Sequence, residues 1–192
     1  YSGYTLFYAS RCDFRKSDLL FNFCVGQGFI DGKQIGWMDF DLFRPEFTKK
    51  MEYMRNCAQY RMATKKYISF GRLWEPVYPE NEIPVFKEEF LGGGKHIGEA
   101  PSAEARLWQA EDGSIAIFIA NYVDEEIPFS YQLDLAKYGL DAENFQITEI
   151  TPEGNQMIGE SGKSIFRTEI MEPNKVKVIE FKPITKTVFN FN

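Results

Sequence analysis

The spacing of apolar residues changes near residue 75, and this change constrains the possible folds more than any other feature of the chain. Before it, apolar residues recur at helical spacing. After it, short stretches alternate apolar and polar residues between Gly, Pro, Asn and Asp turns. We therefore predict an α+β fold, in which a short β/α segment with a long helix precedes an all-β antiparallel sandwich. The two predicted domains span residues 1–75 and 80–192.

Strand, helix and strand follow one another at the start of the chain, which is the order of a β/α unit. Residues 4–9 form an apolar run that is typical of a buried strand. Ser17 can then cap a helix, which two glycines should end near Phe29. Residues 34–38 form the second strand-like run. Because this segment starts without Met and contains so few elements, we expect it to be the tail of a larger unit.

Residues 44–69 are predicted to form one long amphipathic helix that has Pro45 in its first turn. Its charged residues are interpreted as a solvated surface rather than as a binding patch. The predicted apolar face consists of Phe47, Met51, Met54, Ala58 and Met62. The predicted charged face carries Lys49, Lys50, Glu52, Arg55, Arg61, Lys65 and Lys66.

Three prolines between residues 74 and 84 argue against a helix there, so we expect this segment to cross the surface as an ordered connection. The strands beyond it have no helix-length pattern between them, which is typical of an antiparallel sandwich. The clearest of them follows the turn that ends at Gly113. The predicted strands span residues 85–90, 103–109, 114–122, 127–135, 145–151, 164–170 and 175–182.

The charge of the chain argues against nucleic acid and anionic membranes as partners. The formal net charge is −6, and the 22 Lys and Arg residues are scattered rather than gathered into a stripe. Carbohydrate fits better, because sugars are bound by aromatic faces and hydrogen-bonding side chains. No apolar run reaches the roughly 20 residues of a membrane span, and no signal peptide is visible. The compartment stays open, and is periplasmic or extracellular if a preceding segment carries a signal.

The sequence offers no convincing metal site, and we expect no cofactor. Cys12, Cys24 and Cys57 lack the C-x-x-C spacing of zinc or redox sites and are interpreted as buried free thiols. Three consecutive glycines at residues 92–94 lack the Lys-Ser/Thr ending of a phosphate-binding loop and are interpreted as a flexible loop. His96, the single histidine, has no partner at the spacing of a metal site or a catalytic triad.

Two segments of the first part resemble the last βα units of a bacterial family of glycoside-hydrolase-like (β/α)8 barrels. They are the glycine-rich run of residues 26–37, which ends in Trp37, and the end of the long helix, residues 60–72. Members of that family follow the barrel with a β-sandwich. The second part looks like this appendage, on residues 106–109, 112–114 and 118–122. Residues 176–181 resemble the closing strand in the C-terminal β domains of many amylase-like and galactosidase-like enzymes.

The resemblance implies that the parent protein is a glycosidase and that this chain has no catalytic residues of its own. Glycosidases of the usual kind need two carboxyl groups that flank the scissile bond, and in a barrel these lie at the ends of several strands. A segment of 75 residues supplies only the last one or two strands. We therefore expect the chain by itself to be inactive.

Four residues are candidates for contact with a substrate if the first strands belong to such a barrel. Asp13 follows the first strand, whereas Asp39 and Asp41 follow Trp37, at positions that would face the catalytic mouth. The indole of Trp37 offers a flat apolar face to a pyranose ring. Each candidate has a structural alternative, because the carboxylates can cap turns and the tryptophan can belong to the core.

Three functions compete. In the first, the sandwich supports the upstream catalytic barrel of a carbohydrate-active hydrolase. In the second, it is a non-catalytic carbohydrate-binding module, for which Trp108, Tyr122 and Tyr131 are the available rings. In the third, the chain is a free-standing protein of adhesion or assembly. A piece of a barrel should expose the apolar faces of residues 4–9 and 19–29, whereas a self-contained domain should not.

Overall fold

The computed structural model describes residues 15–34, 40–89 and 97–184, and the predicted strand at residues 4–9 and the glycine loop at 92–94 lie outside these ranges. The helices are α1 (Asp18–Ile30), α2 (Thr48–Ala63) and α3 (Lys65–Ile68), with 3₁₀ turns at Phe40–Phe43, Pro45–Phe47 and Leu135–Tyr138. The strands are β1 (Arg72–Val77), β2 (Val85–Glu89), β3 (Ile97–Pro101), β4 (Ala103–Gln109), β5 (Ile115–Asn121), β6 (Ile127–Asp134), β7 (Phe145–Thr151), β8 (Gly154–Ser161), β9 (Ser164–Met171) and β10 (Val176–Pro183).

The strands form an antiparallel sheet of six strands in the order β1-β4-β5-β10-β7-β8, together with the pairs β6-β9 and β2-β3. The predicted α+β class with an antiparallel sandwich is confirmed. All the predicted strands of the second part are present, and β1, β3 and β8 were missed. The prediction of a surface connection between residues 74 and 84 is wrong at its start, because β1 extends to Val77 and includes Pro76. Proline is tolerated there because β1 is an edge strand whose register shifts between Leu73 and Pro76.

The central strand β5 is buried at every position. Alternate side chains of a strand point to opposite faces of the sheet, so both faces of the sheet must be covered at this strand. Its three isoleucines join a hydrophobic cluster with the inner faces of β6 and β9. Ala116, Phe118 and Ala120 point the other way and join a cluster with the helices. The six-stranded sheet is therefore the middle layer of three.

Helix α1 lies over β4 and β5, and α2 lies over β7 and β10. The predicted start of α1 is confirmed: the Leu20 amide donates a hydrogen bond to Ser17 Oγ at 3.1 Å. The apolar residues of α1, among them Phe21, Val25 and Phe29, are buried. The sheet and α2 cover the apolar face of residues 19–29. This is the result expected of a self-contained domain rather than of a piece of a barrel, whereas residues 4–9 lie outside the described residues.

Gly26 allows α1 to approach α2 and β5 closely. A Cβ atom at this position would lie 2.2 Å from the Tyr53 hydroxyl oxygen and 2.7 Å from Cε1 of Tyr122. Both tyrosines are buried. Glycine, which weakens an isolated helix, is therefore required here by packing rather than by backbone conformation.

We expect Gly26→Ala to lower the free energy of unfolding by about 1–3 kcal/mol, the usual cost of overpacking a filled core. Alanine is the better helix former, so the effect opposes helix propensity. Urea denaturation followed by circular dichroism measures it. Gln59→Ala, on the exposed side of α2, is the control and should change the free energy by less than about 0.5 kcal/mol. Equal effects of the two substitutions would contradict the packing role of Gly26.

The predicted long helix is divided, and its buried face is rotated from the predicted one. The helix divides at Thr64 because the backbone there leaves the helical angles, with φ of −109° and ψ of 20°. The amide and the buried hydroxyl of Thr64 both donate to the Tyr60 carbonyl oxygen, at 2.9 and 2.7 Å. Met62, predicted to be buried, is 72% exposed, whereas Lys50, predicted to be solvated, is 6% exposed. The residues of α2 that are buried are Lys50, Tyr53, Met54, Cys57 and Tyr60. The predicted face is therefore confirmed at Met54, half-buried at Phe47 and Met51, and wrong at Met62.

The helices and the sheet share one hydrophobic cluster across the predicted domain boundary. Division of the chain at residues 75–80 stays a prediction. None of the helices in the described ranges is both long enough and apolar enough to cross a membrane.

Candidate functional site

Of the four candidate substrate-binding residues, Asp41 lies within the described ranges. Asp13, Trp37 and Asp39 lie outside them. Asp41 belongs to the 3₁₀ turn before Pro45, and its Oδ1 forms an ion pair with Arg44 Nη2 at 2.7 Å. Both side chains are about half exposed, so this pair contributes little stability. A role of these residues in substrate binding stays a prediction.

The three rings considered for a carbohydrate-binding platform are buried, so they cannot form an exposed platform. The indole Nε1 of Trp108 donates a hydrogen bond to the Ile30 carbonyl oxygen at 2.8 Å, at the end of α1. Tyr122 faces the helices, whereas Tyr131 faces the opposite cluster between the sheets. The sequence could not reveal this, since a half-buried and a fully buried strand can carry the same rings.

A cleft of about 460 Å³ opens between the first turns of α1 and α2 and the turns that connect β5 to β6 and β9 to β10. We call it the amide cleft, after the asparagines in its wall, Asn22 and Asn174. Leu19, Val123 and Pro173 contribute apolar surface. Its residues come from four separate parts of the chain, and for this reason sequence analysis missed it.

The buried side chain of Asn121 fixes the two turns that line the amide cleft. Its Nδ2 donates to the carbonyl oxygens of Glu125 at 2.7 Å and Glu172 at 2.9 Å, one in each turn. The turns are also joined directly, because the backbone N–H of Asn174 donates to the Val123 carbonyl oxygen at 2.9 Å. The strand signal that placed Asn121 at the end of β5 could have indicated such a role.

A chain of side-chain amides runs along the wall of the cleft. Asn22 Nδ2 donates to Asn174 Oδ1 at 2.8 Å, and Asn174 Nδ2 donates to Asp124 Oδ1 at 3.0 Å. Asn174 has a left-handed backbone with φ of 52°, a conformation that asparagine tolerates better than most residues. Asn22 is 4% exposed. Its Oδ1 is buried without a hydrogen-bond partner in the part of the chain that the structure describes.

Charges of both signs surround the amide cleft. Asp18, Glu52 and Asp124 supply three carboxylates, and Lys49 and Lys175 supply two ammonium groups. Lys49 Nζ lies 3.8 Å from Asp124 Oδ2, and Asp18 forms an ion pair with the buried Lys50 at the rim. With Lys50 counted, three ammonium groups balance the three carboxylates, so the site is close to neutral.

A second cleft, of about 280 Å³, lies between α2 and the ends of β7, β9 and β10 and is lined by Tyr60 and three glutamates. Burial, and then the charges of Glu149, Glu153 and Glu172, raise the pKa of Tyr60 to about 12. This tyrosine therefore stays protonated at neutral pH, which disfavours a role as a general base.

A buried polar network ties α3 to β10 and to the turn before β5. The Tyr67 hydroxyl donates to Glu180 Oε1 at 2.6 Å and lies 2.8 Å from Ser114 Oγ. Lys66 Nζ lies 2.6 Å from Glu180 Oε1 and 3.0 Å from Asp112 Oδ2. Although burial lowers the pKa of Lys66, Glu180 and Asp112 raise it overall, so Lys66 stays charged. It cannot activate Ser114 as a base, and the network is structural.

We expect the network to weaken in acid because of Asp112. Partial burial would raise the pKa of Asp112, but hydrogen bonds from Ser114 and Lys66 outweigh it and lower the pKa to about 2. A carboxyl whose folded pKa is depressed stabilises the fold above its unfolded value, about 4, and this contribution is lost as the pH falls through about 2. The difference in melting temperature between the native chain and Asp112→Asn should therefore shrink between pH 5 and pH 2. A constant difference would contradict this account.

Cys24 and Cys57 lie in the described ranges, where neither forms a disulfide, and Cys12 lies outside them. The predicted burial is confirmed at Cys57, where burial raises the pKa of the thiol and so disfavours the reactive thiolate. Cys24 is only half-buried. No group of three or more His, Cys, Asp or Glu residues within the described ranges is arranged to hold a metal ion.

No protein-family model matches the chain, and no curated protein sequence matches it. Solved structures of glycosidases are similar to it. A GH27 β-L-arabinopyranosidase from Geobacillus stearothermophilus is 11% identical, with a TM-score of 0.47, over 88% of this chain and 31% of that one. The α-galactosidase I of Mortierella vinacea is 9% identical, with a TM-score of 0.48, over 86% and 36%. An Anoxybacillus α-amylase is 10% identical, with a TM-score of 0.46, over 87% and 33%.

The chain spans about a third of the length of these solved structures. With identities of 9–11% and TM-scores below 0.5, the likeness does not establish a family.

Proposed function

We propose that this chain forms the C-terminal part of a carbohydrate-active hydrolase, in which the sandwich stabilises the helical part of a catalytic barrel and performs no chemistry. The observation that carries this proposal is the burial of β5 on both faces. One face belongs to the core of the sandwich, and the other supports α1 and α2. The helices bury their apolar faces on a sheet whose other face forms the sandwich core. Unfolding of the sandwich would therefore also expose the apolar faces of the helices.

The contacts at the end of α1 support the same role. Trp108 lies in the second part of the chain, in the segment 106–109 that resembles hydrolase sequences. Its indole donates a hydrogen bond to the carbonyl oxygen of Ile30, in the first part. Arg106 Nε lies 2.8 Å from Asp31 Oδ1, and both side chains are mostly buried. A Cβ on Gly32, where φ is 69°, would lie 2.6 Å from the Trp108 ring. Strand β4 therefore fixes the turn that leads into the candidate substrate-binding residues.

The proposal is tested by hydrolysis of a panel of nitrophenyl α- and β-glycosides. Two proteins are compared: the product of the natural reading frame, from its start codon to its stop codon, and the 192-residue chain alone. We expect turnover by the first and none by the second. Turnover by the 192-residue chain would contradict the supporting role. A natural product that hydrolyses none of the glycosides would contradict the proposal as a whole.

A supporting role also predicts that a substitution in the supporting sheet lowers the thermal stability of the natural product without changing its catalytic rate. Phe118→Ala, in the cluster between sheet and helices, should lower the temperature at which hydrolysis is lost and leave kcat at low temperature unchanged. Phe166→Ala, on the exposed face of β9, is the matched control and should change neither. Equal inactivation temperatures for both variants would show that the sandwich does not stabilise the enzyme.

A further inference from the structure

We propose that the second cleft binds the ammonium group of a small primary alkylamine, between the Tyr60 hydroxyl and the glutamates of the cleft wall. We call it the glutamate cleft, after Glu149, Glu153 and Glu172. This inference goes beyond the supporting role and does not depend on it, because the cleft lies within this chain. Its volume is about 280 Å³, slightly below the ordinary range of drug-sized ligands, so a short aliphatic ligand fits.

The hydroxyl of Tyr60 is the hydrogen-bonding group of the cleft that lacks a partner. The residue is 8% exposed, and its ring packs edge-on against that of Phe29, at 6.4 Å between centroids. Its hydroxyl forms no hydrogen bond with any residue that the structure describes. Unlike the fully enclosed hydroxyl of Tyr53, it keeps accessible surface. Because polar groups at mostly buried positions are nearly always paired, this hydroxyl points to a ligand that enters the cleft.

The charges of the cleft favour a cation. None of its three glutamates forms an ion pair within the described part of the chain. Of the two lysines in the wall, Lys177 lies 3.8 Å from Glu169 Oε2 and donates to the Ile170 carbonyl oxygen, so its charge is matched outside the cleft. Lys175 alone opposes the three carboxylates. Their charges act on the cleft, since all three raise the pKa of Tyr60.

The arrangement favours an organic ammonium over a metal ion. No three His, Cys, Asp or Glu residues in the described ranges are grouped closely enough to hold a metal ion, so the glutamates surround the cleft without converging on one point. A primary ammonium has three N–H donors and can therefore bridge a phenol oxygen and a carboxylate. Pro152 offers apolar surface to the alkyl chain of the ligand.

The experiment is a titration of the ¹⁵N-labelled 192-residue chain with n-butylammonium chloride at pH 7 and constant ionic strength, followed by two-dimensional ¹H–¹⁵N NMR. At this pH the amine is charged and Tyr60 is protonated. We expect the backbone amide signals of Tyr60 and Val176 to shift saturably, with Kd on the order of 1–10 mM. Neutral n-butanol should not shift them. n-Butyltrimethylammonium, which has the charge but no N–H donor, should bind at least about tenfold more weakly.

Tyr60→Phe removes the hydroxyl and keeps the ring, so it tests the hydrogen bond alone. It should raise Kd about tenfold. Because the hydroxyl has no partner in the described part of the chain, the melting temperature should stay the same or rise, whereas a structural hydroxyl would lower it on removal. Tyr78→Phe removes a hydroxyl from a ring that is 76% exposed and should change neither quantity.

Glu149→Gln tests the charge of the cleft. Of the three glutamates, Glu149 raises the pKa of Tyr60 most, so its neutralisation should raise Kd about two- to fivefold. Glu160→Gln, on the exposed edge strand β8, removes the same charge outside the cleft and should leave Kd unchanged.

Four results would overturn the proposal. In the first, n-butylammonium gives no saturable shift of these signals at concentrations up to about 100 mM, well above the expected Kd. In the second, n-butyltrimethylammonium binds as tightly, so that no N–H donor is needed. In the third, Tyr60→Phe binds as tightly as the native chain. In the fourth, Nα-acetyl-lysine methylamide binds more tightly than n-butylammonium, which would identify a protein lysine as the ligand instead of a free amine. Each result leaves the hydrolysis test of the proposed function unaffected, so the two proposals fail independently.

Discussion

Phe118→Ala should lower the free energy of unfolding by about 3–5 kcal/mol, a large part of the stability of a domain this size. Phe118 is fully buried in the middle layer. Its ring lies 5.6 Å from that of Phe29, 5.9 Å from that of Tyr67 and 6.3 Å from that of Trp108, measured between centroids. Truncation leaves a cavity at the point where α1, α3 and β4 meet. Urea denaturation followed by tryptophan fluorescence and circular dichroism measures the loss.

Phe166→Ala is the matched control for that prediction. Phe166 also lies in a strand, but it is 67% exposed, so its removal opens no cavity. The expected change is within about 0.5 kcal/mol. Hydrogen exchange adds a second measurement: the amides of α1 should lose protection in Phe118→Ala and keep it in Phe166→Ala. A loss below about 1 kcal/mol in Phe118→Ala would show that the helices do not depend on the sheet.

Glu180→Ala should cost about 1–3 kcal/mol, the usual cost of removing a buried acceptor from its donors, because the Lys66 side chain is 40% exposed and its ion pair with Glu180 is only half-buried. Glu180 is 7% exposed and accepts hydrogen bonds from the Tyr67 hydroxyl and from Lys66. The loss stays at the lower end because Lys66 keeps Asp112 and Tyr67 keeps its contact with Ser114. Urea denaturation at pH 7 measures it. A double-mutant cycle with Tyr67→Phe should show an interaction energy of about 0.5–3 kcal/mol.

The control removes a carboxylate of the same kind from the surface. Glu99 Oε1 lies 2.6 Å from Lys87 Nζ across the β2–β3 pair, and both side chains are more than half exposed. Glu99→Ala should cost less than about 1 kcal/mol, because exposed ion pairs contribute little. If Glu180→Ala cost no more than Glu99→Ala, the buried network would not be what holds α3 on the sheet.

The strands of the sandwich could be predicted because their signal is local. Alternating side chains and Gly, Pro and Asn turns identified β5, β7 and β10 nearly to the residue. Ser17 marked the start of α1 for the same reason, since its hydroxyl accepts from an amide three residues away. The strands that were missed are irregular or lie at an edge: β1 carries a proline, and β8 is exposed along much of its length.

The buried face of α2 could not be predicted, because it depends on what the helix meets. Tyr53 and Cys57 are buried where α1 and the sheet approach, and Met62 points away although it is equally apolar. The sequence likewise did not show that Trp108 is buried, because its indole finds a hydrogen-bond partner only at the end of α1. The candidates at Asp13, Trp37 and Asp39 lie outside the described residues and remain untested.

By itself, the sequence determined the α+β class, the positions of most strands and the capped first helix, because these depend on backbone preferences and hydrophobic periodicity over a few residues. The tertiary structure alone decided that α1 is covered, that Glu180 is held by α3, and that Asn22 and Asn174 meet across the amide cleft. The contact between Glu180 and α3 and the contact between the two asparagines each join residues more than 100 positions apart. Their energy depends on distance in space, which local spacing along the chain does not encode.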